Sequence, residues 1–163
     1  MTRRPMLLEG SCHCGRVSIR MESRAPYPFC ICHCHADTKT AGAMNCNIRA
    51  QASSLVVKGE EHVRVYQAEY DGVPSSHKRH FCQHCASYLW AADERWPEWI
   101  YPFASCIDTP LPAVRPEDQR HIMTDYKLSH VSIPDDVPPS NRFPEYPVTS
   151  LEEWHRERGW YLG

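Results

Sequence analysis

The residues best placed to do chemistry are cysteines, and their spacing suits metal coordination. Cys12-His13-Cys14 is a CxC pair and Cys82-Gln83-His84-Cys85 a CxxC pair, far apart along the chain. Each can set two thiolates on one side of a tight turn, and four thiolates in a tetrahedron form a closed zinc site of the structural type. A metal held by such distant residues staples the chain and stabilises a modest core. His13 and His84 lie inside the motifs as alternative ligands. The plain alternative is four buried cysteines packed as small hydrophobes.

Between the pairs runs Cys30-Ile31-Cys32-His33-Cys34-His35-Ala36-Asp37. It allows two registers, CxCxxH through Cys30, Cys32 and His35, or CxCxxD through Cys32, Cys34 and Asp37. Either supplies three ligands and leaves a fourth position open to water or substrate, the pattern of a catalytic metal. Asp37 serves as ligand or as general base, and His33 lies within the same loop. His80, adjoining Phe81, is a further candidate for carrying a proton to this site, with His77 before it. Asp37, His33 and His80 are therefore the candidate catalytic residues.

The elements that must position these groups are mostly strands. Short alternating or apolar segments occur at Val17 to Met21, Leu55 to Val57, Val63 to Val65, Leu89 to Ala92 and Ile100 to Phe103. The five prolines between Ile133 and Pro147 exclude a central strand or long helix, so this segment reads as an extended strap. Ser150 and Glu153 form a capping box that starts a helix over Leu151 to Arg158, with Gly159 ending it. A shorter helical turn fits Ala36 to Ala41, before Gly42. The pattern predicts one mainly β domain over 1-163.

Charge adds a constraint. With 18 basic and 20 acidic residues spread along the chain, no basic block tracks a phosphate backbone, so nucleic acid is not an expected partner. No apolar run is long enough for a signal peptide core or a membrane span. The expectation is a soluble cytoplasmic protein with no membrane partner, in which nine cysteines serve metal or chemistry rather than disulfides. Homo-oligomerisation is left open.

In this order the motifs resemble the glutathione-dependent formaldehyde-activating enzyme family, whose relatives include the centromere protein V type. The matching residues are Gly10-Ser-Cys-His-Cys-Gly15-Arg-Val17, Cys32-His-Cys34 with Gly42 downstream, and Phe81-Cys-Gln-His-Cys85-Ala-Ser-Tyr-Leu-Trp90. Ile107-Asp108, His121-Ile122 and the proline-rich tail are weaker echoes, and together the resemblance covers a core of about 7-148. The resemblance implies an Mss4-like β fold, a sandwich or tent, around a structural zinc on Cys12, Cys14, Cys82 and Cys85. It also implies a second zinc held by CHCxxC, with a glycine five residues after the third cysteine. Gly42 selects the register of Cys32, Cys34 and Asp37, with aspartate in place of the third cysteine. Ala86 stands where the family usually shows glycine.

The family reaction joins formaldehyde and glutathione into S-hydroxymethylglutathione. A carboxylate is a competent zinc ligand but less electron-donating than a thiolate, so a Cys2Asp site is more Lewis acidic. The expectation is a zinc-dependent, carbon-sulfur lyase-like enzyme acting on a small carbonyl or thiol adduct. One alternative is a metal-assisted cyclase, dehydratase or epimerase on a larger carbonyl metabolite, with Trp90, Trp96, Trp99 and Tyr101 either lining its pocket or packing in the core. Another is a zinc-stabilised binding module without catalysis.

Overall fold

A computed structural model describes residues 3–42 and 44–163. The chain opens with β1 (Met6–Ser11) and β2 (Ser18–Ser23), an antiparallel hairpin whose loop carries Cys12 and Cys14. Leu8, Ile19 and Met21 alternate inward, which gives this pair one buried face. Strand β6 (Val56–Lys58) pairs with β2 and completes the first sheet.

A five-stranded sheet forms the platform of the molecule. Its order is β5 (Ala50–Gln51), β10 (Trp99–Pro102), β9 (Tyr88–Asp93), β8 (Val73–Cys82) and β7 (Val63–Tyr70). Strands β7 and β8 turn through Asp71 and Gly72, both at positive φ, as a two-residue hairpin turn demands. A third sheet places β3 (Cys30–Cys32) between β11 (Arg120–Ile122) and β4 (Asn45–Cys46). The parallel β11–β3 pairing lets a late segment support the cysteine loop that follows β3.

Two helices complete the described residues. Helix α1 (His35–Ala41) leaves β3 directly, and Gly42 at φ 97 ends it. Helix α2 (Leu151–Glu157) carries the full Ser150–Glu153 capping box. Trp154 of α2 stacks on Phe29 at 3.6 Å between ring centroids, and Trp160 stacks on Tyr27 at 4.4 Å. These rings, with Cys30, Cys32 and Ile122, make a second core distinct from the main one around Leu8, Val17, Ile48, Leu89 and Phe103. The expectation of a mainly β chain with short helices and a C-terminal helix is met.

The proline-rich segment is not extended throughout: a turn closes from Pro134 to Val137, and a 3-10 helix over Pro139–Asn141 follows it, because the prolines fix φ near the value both turns need. Its end runs beside β11, where Phe143 N donates to His121 O at 2.8 Å and Met123 N to Glu145 O at 3.2 Å. No helix of the described residues is long and apolar enough to cross a membrane.

Candidate metal centres

The β1–β2 loop and the turn after β8 bring Cys12, Cys14, Cys82 and Cys85 together. Their sulfurs all lie within 4.8 Å of one another, a spread that suits one tetrahedral ion. The turns that build this cluster are tight. Gly15 N donates to Cys12 O at 2.9 Å and Ala86 N to Cys82 O at 2.8 Å. A β-carbon at Gly10 would stand 2.4 Å from Cys106 O, so only glycine allows this close approach of backbones before the loop.

The four thiols are poised unequally. Burial opposes ionisation of Cys85, but hydrogen bonds from the Ser87 hydroxyl and backbone bring it down to about 5. The Arg16 backbone lowers Cys14, whereas burial pushes Cys82 up to about 11. A divalent cation removes the remaining protons, because the thiolate is the ligand.

The second cluster assembles at the start of α1. Cys34 caps the helix, its Sγ accepting from Asp37 N at 3.4 Å. Since residues three apart share a helix face, the cap brings Asp37 back toward the two sulfurs. Cys32, Cys34 and Asp37 offer ligand atoms within 4.8 Å of one another. His35 is exposed, and Cys30 is buried outside the group with its thiol pushed up to about 12 by burial. The geometry thus assembles the CxCxxD register. Cys34 accepts a hydrogen bond from Cys32, which lowers Cys34 and raises Cys32.

Arg79 completes this cluster, and the sequence reading missed it. Its Nε and Nη2 donate to one oxygen of Asp37 at 3.1 and 2.7 Å, and both side chains are buried. The signal was available: an arginine inside a strand two residues before Phe81 must bury its charge beside an acid or face solvent.

The strand register separates the histidines. His80 lies opposite Trp90 across the β8–β9 pair and stacks on it at 4.4 Å. Arg79 points to the other face, so the structure does not bring His80 to Asp37. His77 shares the face of Arg79 and pairs with Asp93, Nδ1 to Oδ2 at 3.6 Å. His33, between the two cysteines, turns away to His121, Nε2 to Nδ1 at 2.8 Å. Each of these two rings keeps a buried nitrogen without a partner among the described residues.

Tyr146, on the proline-rich strap, is 71% exposed. Of the aromatics considered as a pocket lining, Trp90 packs under His80 and Trp99 under Arg49, while Trp96 is exposed beside Arg95. Tyr101 lies in register with Arg79 through Ala91, on the same face of the sheet, with its ring 6.4 Å from that of His77.

Comparison with known proteins agrees with this arrangement of motifs. Residues 7–125 match the family model described as glutathione-dependent formaldehyde-activating enzyme. A Halomonas elongata protein named "Putative glutathione-dependent formaldehyde-activating enzyme" is 48% identical over 156 residues, covering 94% of this chain and 98% of that protein. A crystal structure of a Rhodobacter sphaeroides protein is 27% identical, covers 68% of this chain and 93% of its own, and has a TM-score of 0.48. By the family match and the Halomonas relative, the chain belongs to the glutathione-dependent formaldehyde-activating enzyme family.

Proposed function

We propose that this protein is a zinc-dependent enzyme that forms and breaks a carbon–sulfur bond between a thiol, glutathione by family, and a small carbonyl such as formaldehyde. The observation that carries the reading is the convergence of Cys32, Cys34 and Asp37 with Arg79 at the start of α1. These donors fit zinc: two thiolates and one carboxylate, with room for a fourth ligand. Such an ion would supply Lewis-acid polarisation of the carbonyl or stabilise the thiolate. The Cys12, Cys14, Cys82 and Cys85 cluster is the structural counterpart.

The chain's own groups divide the remaining work. Arg79 engages one carboxylate oxygen of Asp37 and leaves the other to bind the metal or to take the thiol proton. The sulfur then bonds to the carbonyl carbon, the carbon–oxygen π bond breaks, and the oxygen takes a proton to become the hydroxyl. N–H groups of Arg79 not spent on Asp37 can stabilise the developing charge on that oxygen. The reverse sequence releases carbonyl and thiol.

Exchange NMR on formaldehyde and glutathione tests this reading. Zinc-loaded protein should accelerate adduct formation, with at least a ~100-fold loss in Cys32→Ser and Asp37→Ala, a size typical of removing a group that acts in proton transfer or charge stabilisation. Absence of acceleration by the wild type excludes formaldehyde activation, and undiminished turnover by Asp37→Ala excludes the site.

A further inference from the structure

Two residues before Arg79 on the same face of β8, His77 lies opposite Asp93 of β9. The Asp93 side chain is fully buried and held in place. Arg95 N and Nε donate to its Oδ1 at 3.0 and 2.9 Å, and Arg95 Nη2 donates to Oδ2 at 2.7 Å. The Arg95 guanidinium keeps this carboxyl well below the usual carboxylate range, so it is ionised. His77 turns its Nδ1 to Asp93 Oδ2 at 3.6 Å. Hydrogen bonds of such pairs commonly close only in the substrate complex. The His77 side chain is 28% exposed, so a small molecule at the Arg79 face can reach the ring.

An imidazole whose Nδ1–H faces a fixed carboxylate has a bare Nε2, and the carboxylate stabilises the ring once Nε2 takes a proton. The charged groups around His77 are Arg79 and Asp37 toward the metal cluster and Asp93, backed by Arg95, on the other side, with the Tyr101 ring 6.4 Å away. Desolvation and then Arg79 lower its pKa, outweighing the opposite pull of Asp37 and Asp93. The ring is therefore neutral near pH 7 and able to act as a base. We propose that His77 carries the proton in the thiol–carbonyl reaction, with Asp93 as its positioning residue. Nε2 takes the proton from the thiol, and the sulfur electron pair forms the bond to the carbonyl carbon as the carbon–oxygen π bond breaks. The same Nε2 then delivers that proton to the oxygen, so the imidazole ends as it began. The inference rests on the thiol–carbonyl reading above and leaves the second oxygen of Asp37 to the metal.

Exchange NMR on formaldehyde and glutathione with zinc-loaded His77→Gln tests this role, because glutamine keeps a polar partner for Asp93 and cannot carry the proton. The rate should fall about 100-fold with zinc content unchanged, the size of a lost general acid–base group. The acid limb of the wild-type pH profile, lying below the ordinary histidine value of 6.5, should disappear with it. Nitrogen-15 NMR of the wild-type imidazole gives a reading that needs neither turnover nor a variant: near neutral pH, Nδ1 should carry the proton and Nε2 should be bare. A His77→Gln rate within about threefold of wild type, an unchanged acid limb, or the opposite tautomer would each overturn the role. If the variant does not fold, the wild-type tautomer decides. Failure of the thiol–carbonyl reading has a separate signature: the expected tautomer with no acceleration by the wild type, which removes the reaction and leaves the His77–Asp93 geometry standing.

Discussion

Arg79 aims two N–H groups, at 3.1 and 2.7 Å, at a single carboxylate oxygen of Asp37. Where the family motif has a cysteine, this chain thus has a carboxylate with one oxygen occupied by a guanidinium and the other available. Removing the guanidinium leaves a buried acid uncompensated, a change that costs on the order of 3–5 kcal/mol. Arg79→Met should lose that much stability without metal, and less with zinc, because a cation at the cluster restores compensation. Denaturant titrations with and without zinc check this. Equal losses in both would place Asp37 away from the metal.

The two cysteine clusters should differ in what their loss does. Cys12, Cys14, Cys82 and Cys85 join the first hairpin to the central sheet, so a metal there contributes directly to folding. Cys85→Ser should drop zinc content from two ions per chain to one and unfold cooperatively at a markedly lower temperature. Cys34→Ser should lose one ion with a much smaller change in melting. Metal analysis paired with calorimetry reads both.

Ala86 offers a prediction of the opposite sign. It sits at φ 58 in the turn after Cys85, a conformation that costs a residue with a β-carbon ~1–2 kcal/mol. Glycine removes that strain, offset by its larger entropy loss of ~0.5–1 kcal/mol. Ala86→Gly should therefore stabilise the zinc-loaded protein by roughly 0.5–1 kcal/mol, seen as a higher denaturation midpoint. The conformation also explains why a glycine suits this position in the family motif.

His155 makes docking of the C-terminal helix sensitive to acid. Buried, its Nε2 accepts from Tyr27 N at 3.1 Å and its Nδ1–H donates to Leu151 O at 2.7 Å. Burial brings its pKa down to about 4. The unfolded chain, titrating near 6.5, binds this proton more readily, so stability is full above ~6.5 and falls as pH drops from there through 4. The loss is bounded by about 3 kcal/mol. His155→Leu should flatten this part of the stability profile in urea titrations across pH, and an unchanged slope would remove His155 as its source.

How far the sequence revealed this molecule depended on whether the signal was local. Ser150 and Glu153 announced α2, observed over Leu151–Glu157, because a capping box needs only four residues. The first cysteine cluster was legible because turn-forming pairs declare their ligands. Strand β8 was not: its Pro-Ser-Ser-His-Lys-Arg-His run lacks apolar alternation, since one face bears Arg79 and His77 toward the polar site. That gap hid the Arg79–Asp37 pair. His80 looked suited to the site because one sequence cannot show which face of a strand a residue takes, and a one-residue change of parity reverses it. The stack of Trp154 on Phe29 joins residues distant in sequence and had no local signature.

Anomalous diffraction at the zinc edge from crystals of the zinc-loaded protein tests the central claim most directly. Two peaks per chain are expected, one among the four cysteines and one bonded to Cys32, Cys34 and the Asp37 oxygen that Arg79 leaves free, at ~2.0–2.2 Å. A single peak at Cys12, Cys14, Cys82 and Cys85, with Asp37 bound only to Arg79, would contradict the account.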